Sequence, residues 1–107
     1  MSEMNEMTQE REGAILQAAI DTYGCESQTD MMIEEMSELT KALLKARRAG
    51  FHGGLIYDAL RCDIVEEMAD VYIMLNQMCM IYGDPTDVEI KKLERLESRI
   101  ARDKTIS

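Results

Sequence analysis

Between Leu60 and Tyr82 an apolar residue returns every three or four positions: Leu60, Ile64, Met68, Val71, Leu75, Met78 and Tyr82. The pattern keeps phase for about six turns of a 3.6-residue helix and matches no strand period. Neither Gly nor Pro interrupts it. A chain holding such a stripe must supply other helices to cover it, and three further segments qualify. Met32, Met36, Leu39, Leu43 and Ala46 form a second stripe, and Ile15, Leu16, Ala19, Ile20 and Tyr23 a narrower one. Leu93, Leu96 and Ile100 form a thin seam amid alternating charges, the pattern of a solvated helix with a contact for a partner helix.

Punctuation sets the boundaries. Asn5 or Thr8 can cap the first helix, and Gly24 stops it. Ser27 and Thr29 are N-cap residues for the second helix, which Arg47, Arg48 and then Gly50 close. Glycine content makes Gly50–Gly54 a loop, with Asp58 or Asp63 capping the third helix and Gly83 ending it. Asp84-Pro85-Thr86-Asp87 opens the fourth. The reading is an all-α, four-helix bundle with helices over about 8–23, 28–49, 59–82 and 85–102. At 107 residues it is one domain, with flexible ends at 1–7 and 103–107 and a disordered tail expected from Ala101. Scarce aromatics and ten Met fit helices better than sheet.

With 12 Lys and Arg against 21 Asp and Glu the net charge is −9, which repels nucleic-acid polymers and anionic membrane surfaces. No apolar run approaches the ~20 residues of a membrane span. Cys25, Cys62 and Cys79 show no metal-type spacing. Their odd number, with no secretory leader, predicts a reducing, cytoplasmic setting.

Within the two long stripes one phrase is repeated. Glu34-Glu35-Met36-Ser37-Glu38-Leu39 is answered by Glu66-Glu67-Met68-Ala69-Asp70-Val71. Residues three apart are neighbours on a helix surface, so Glu35 converges with Glu38 and Glu67 with Asp70. Each pair lies roughly 60° and 120° from the centre of its stripe, bordering the buried face on the same side. Packing the two helices would gather four acids at the mouth of the core. Two unit charges about 6 Å apart repel by roughly 3 kcal/mol at an effective dielectric near 20, and a domain is held by only ~5–15 kcal/mol. Clustered carboxylates therefore protonate or bind a cation. Oxygen-only donors favour Mg²⁺, or Mn²⁺, over Zn²⁺. A single acidic pair of this kind is ordinarily a solvated face; two in identical phase are the signal. A ferritin-type dimetal bundle needs Glu-x-x-His pairs, and the one histidine, His52, falls in the loop.

The pattern Glu34-Glu35-x-x-Glu38, 28 intervening residues, then Glu67-x-x-Asp70 resembles the signature of MazG-like all-α nucleoside triphosphate pyrophosphohydrolases, of the small phage and bacterial type. The likeness covers about residues 12–100, including the long loop and the Leu93–Arg99 stretch. It implies that Glu35, Glu38, Glu67 and Asp70 hold Mg²⁺. It also implies hydrolysis of a nucleoside triphosphate, a dNTP by preference, between the α- and β-phosphates to monophosphate and pyrophosphate. The metal would neutralise phosphate charge and activate water. Glu34 is then the candidate to orient that water, although it and Glu66 read equally well as solvated. Lys41 and Lys45, on Glu38's side of the helix, are candidates for the remaining phosphates, and Asn76 for sugar or base. Arg47, Arg48 and Arg61 flank the loop, and each suits a surface or helix-end charge as well. The likeness implies a homodimer or homotetramer, which the excess of apolar stripes also favours. A phosphoribosyl-ATP pyrophosphohydrolase-like activity and a non-catalytic helical interaction protein are the alternatives.

Overall fold

A computed structural model describes residues 6–50 and 57–106. The described chain is all-α as expected, four helices with no strand: α1 (Gln9–Tyr23), α2 (Cys25–Ala49), α3 (Asp58–Tyr82) and α4 (Thr86–Ile106). The expectations for Asn5, the Gly50–Gly54 loop beyond Gly50, and His52 fall outside the described residues.

Thr8 caps α1, its hydroxyl accepting a hydrogen bond from the backbone N–H of Arg11 at 3.0 Å. Gly24 ends α1 and starts α2 at once. Its φ of 92° lies in the left-handed region, where glycine is not penalised, so a single residue turns the chain. This corrects the expected start at Ser27 or Thr29. The Thr29 hydroxyl instead donates back to the Cys25 carbonyl at 2.9 Å, inside the helix. Neither Asp58 nor Asp63 caps α3; Tyr57 holds the cap position, without a side-chain cap bond, and Asp58 is the first helical residue. Asp84 does supply a capping side chain, although α4 begins at Thr86 rather than Pro85, whose carbonyl accepts from the Glu89 N–H at 2.8 Å. The Asp84 Oδ1 accepts from the Thr86 N–H at 3.0 Å and the Thr86 hydroxyl at 2.6 Å. Those bonds hold its carboxyl below the usual carboxylate range. α4 runs past residue 102 to Ile106, which corrects the expected disorder from Ala101: the Thr105 hydroxyl donates to the Ala101 carbonyl within the helix.

α2 and α3 are the main packed pair, and α1 contacts both. Cross-helix pairings fix the direction. Thr29 and Tyr82 share a hydroxyl–hydroxyl hydrogen bond of 2.8 Å at one end, while Glu35 meets Glu67 and Asp70 further along. Residue numbers rise on one helix as they fall on the other, so the pair is antiparallel.

Among the described residues the buried side chains are Leu16, Ile20, Ala46 and Met74, with Gln28 and Gln77. The expected stripes are thus only partly covered. Met36, Leu43, Met68 and Leu75 are exposed. The α2–α3 seam is rotated off the centres of the apolar stripes, toward Gln28, Glu35 and the stripe's edge residue Ala46 on one helix and toward Asp70 and Gln77 on the other. Gln28 and Glu35 stand seven residues apart, as do Asp70 and Gln77, so each pair occupies one line along its helix. Leu39, Met68, Val71, Tyr72 and Leu75 are left lining an open apolar groove. Among the described residues, no contact joins α4 to α1, α2 or α3, and no α4 residue is buried.

Candidate metal centre

The repeated phrase lies where α2 and α3 face one another. Carboxylate oxygens of Glu35, Glu67 and Asp70 all lie within 4.8 Å of one another. Glu35 comes from the first copy, Glu67 and Asp70 from the second, so the antiparallel crossing is what assembles the group. Glu35 and Glu67 are half-buried and Asp70 is exposed, leaving the cluster open to solvent on one side.

Charge and burial act together here. Burial, then Asp70, Glu67, Glu34 and Glu38 in that order, push the Glu35 carboxyl above its ordinary 4.5. Glu67 is raised likewise, by burial first and then by Asp70, Glu38, Glu66 and Asp63. Asp70 is the largest charge influence on both. Among the described residues, the charges acting on Glu35 and Glu67 are acidic, and Lys41 is turned to Glu38 at 3.3 Å.

The donor set fits a hard divalent ion. Metal–oxygen distances of about 2.1 Å put opposite ligands of an octahedron roughly 4.2 Å apart. Oxygens already within 4.8 Å need only small side-chain rotations to reach that geometry. Three carboxylates leave further positions for water or phosphate oxygen.

The other expected site residues divide. Glu38 stands outside the triad, its carboxylate joined to Lys41 one turn on, yet near enough for its charge to raise both Glu35 and Glu67. Glu34 is exposed beside Glu35 and acts on it through charge. Lys45 is exposed on α2. The Asn76 amide donates to Glu12 Oε1 at 3.2 Å, tying α3 to α1. Arg61 pairs with Asp58 at 3.4 Å at the start of α3.

A cavity that no sequence pattern marks lies beside the acids. Tyr23, Ser27, Gln28, Met31 and Met74 line a space of about 330 Å³. Met31 precedes Glu35 by four residues and Met74 follows Asp70 by four, so the cavity begins about 6 Å along each helix. Gln28 lies seven residues from Glu35, on the line that carries the acid into the seam, but Tyr23 and Met74 come from other helices and share no local pattern with it. No family model, curated protein or solved structure matches the chain.

Proposed function

We propose that the protein hydrolyses a nucleoside triphosphate, a dNTP by preference, between the α- and β-phosphates with Mg²⁺ held by Glu35, Glu67 and Asp70. The supporting observation is the meeting of three carboxylates from both copies of the repeated phrase, open to solvent and surrounded by further acidic charge. When bound, the metal would draw charge from the phosphates and lower the pKa of a water. Mn²⁺ would serve in its place. Glu38, one turn from Glu35, would complete the ligand set on release from Lys41, which is then free to turn toward phosphate. Lys45, a further turn along, would meet the next phosphate. Glu34 would orient the attacking water from the edge of the triad. The cavity lined by Tyr23, Gln28, Met31 and Met74 would take the base, with the Gln28 amide as its polar contact. Asn76 would reach the sugar or base only by giving up Glu12.

The resemblance to MazG-like pyrophosphohydrolases supports the same reading, as a homodimer or homotetramer in the cytoplasm. No described helix is long and apolar enough to cross a membrane. The test is incubation with each dNTP and NTP and Mg²⁺, with products resolved. Monophosphate with pyrophosphate is expected. Diphosphate with orthophosphate, or no turnover of any nucleotide, would overturn the proposal. Phosphoribosyl-ATP belongs in the same panel. The alternative of a helical interaction protein without catalysis has one observation in its favour, the unburied α4. It predicts no turnover and no response to Mg²⁺.

A further inference from the structure

The protomer leaves too much surface for a self-sufficient chain. A folded monomer of 12.2 kDa exposes about 6100 Å². This chain exposes 8726 Å². The excess is roughly three times the ~800 Å² that each partner buries in a standard interface. The radius of gyration is 18.1 Å, against about 13 Å for a compact chain of this length.

α4 is the element standing apart. Leu93, Leu96 and Ile100 lie within an arc of about 60° on it, all exposed. Lys92, Arg95, Arg99 and Arg102 form a second arc of about 80° along one edge of that stripe. Charge is divided in the same way. α4 holds six of the chain's 12 basic residues and five of its 21 acidic ones, a net +1, which leaves −10 on residues 1–85.

We propose that α4 docks on the three-helix body of a second copy, reciprocally, in the groove between α1 and α3. That groove is lined by Met7, Glu12, Ile15, Leu16 and Ile73, with a volume of about 370 Å³. Apolar walls with an acid among them match an apolar stripe with a basic edge. The neighbouring α2–α3 groove is lined by Leu39, Met68, Val71, Tyr72 and Leu75, with no acid among them. Two α4 helices fit each other less well. Glu89, Leu96 and Asp103 recur at seven-residue spacing, so parallel pairing would set Glu89 and Asp103 against their own copies. Antiparallel pairing would oppose the two basic edges. Docking on the chain's own body is not what the fold shows, for no contact joins α4 to α1, α2 or α3 among the described residues.

The test combines sedimentation with cross-linking of the full chain. Wild type should sediment as a dimer, and more weakly as salt rises. Leu96→Glu, and separately Arg95→Glu with Arg99→Glu, should raise the dissociation constant at least about tenfold. Both variants should keep amide protection in α2 and α3. Carbodiimide treatment of mixed ¹⁴N and ¹⁵N protein should join Lys92 to Glu12 in mixed-isotope adducts. A monomeric wild type would overturn the proposal, whether α4 is protected by folding back or remains unprotected. A dimer indifferent to both variants would overturn it too, as would Lys92 adducts confined to α4 acids of the other copy. The metal reading is untouched by any of these results.

Discussion

Asp70→Asn should make the metal-free protein more stable while destroying its response to Mg²⁺. Asp70 is the largest charge influence on both Glu35 and Glu67, and the oxygens lie within 4.8 Å. Two unit charges at that distance repel by roughly 1 kcal/mol in water-like surroundings and by about 3 kcal/mol at an effective dielectric of 20. Asp70 is exposed and Glu35 half-buried, so the lower figure applies to that pair. Relief of it alone should stabilise the metal-free chain by about 1 kcal/mol, some 4–8 °C in melting temperature for a domain near this size. Asn keeps the shape of Asp but is a far weaker ligand for a hard cation. Mg²⁺ at ~100 times its dissociation constant stabilises a protein by about 2.7 kcal/mol. The variant should lose most of that. Thermal melts of both proteins, with and without Mg²⁺, give all four values. A metal-free variant less stable than wild type, or one whose Mg²⁺ shift matches wild type, would refute the reasoning and make the acids a solvated face.

The pH profile carries a related prediction. Glu35 and Glu67 both titrate above 4.5 in the folded state, so the fold binds their protons more tightly than the unfolded chain does. Their stabilising contribution is complete below 4.5 and is lost as pH rises through the raised values. Urea midpoints of the metal-free protein should fall across that window, and a Glu35→Gln, Glu67→Gln variant should flatten the profile. Asp84, lowered from 3.8 by its bonds from Thr86, works on the other limb, losing its contribution as pH falls below that value. Gln77→Met should raise stability by about 1 kcal/mol in urea melts, because the buried Gln77 Oε1 has no hydrogen-bond partner. A fall in stability would show that the oxygen is satisfied in solution. Gly24→Ala should cost about 1–2 kcal/mol through its positive φ alone. An added Cβ there meets nothing within 4 Å, so a neutral result would mean the turn relaxes.

Helical spacing made the four elements legible, because an apolar residue every three or four positions admits one periodicity. Boundaries were less so. Ser27 and Thr29 have the chemistry of N-caps, but Gly24 turns the chain in one step and leaves them inside α2. The centre of the seam was misplaced for a more instructive reason. Apolar stripes were expected to mark the buried face, yet Gln28 and Gln77 are buried while Met36, Leu43, Met68 and Leu75 are exposed. A pattern of apolar residues cannot distinguish a face turned inward from one left uncovered by the protomer. That rotation brings Glu35 closer to the seam than its angle from the stripe suggested. Convergence of Glu35 with Glu67 and Asp70 was legible from matched phase on two helices. The turning of Glu38 to Lys41 was readable as well, since a carboxylate three residues before a lysine has that partner within reach. The cavity beside the acids was not, for Tyr23, Gln28 and Met74 come from three helices and share no local pattern.

The central claim is that the triad holds a divalent cation, and Mn²⁺ reports on it directly through its electron paramagnetic resonance. Titration of wild type with Mn²⁺ should diminish the free-ion signal, and Mg²⁺ should restore it by competition. Glu67→Gln should weaken uptake at least about tenfold with helicity unchanged. Uptake equal in wild type and variant, or none in wild type, would contradict the account.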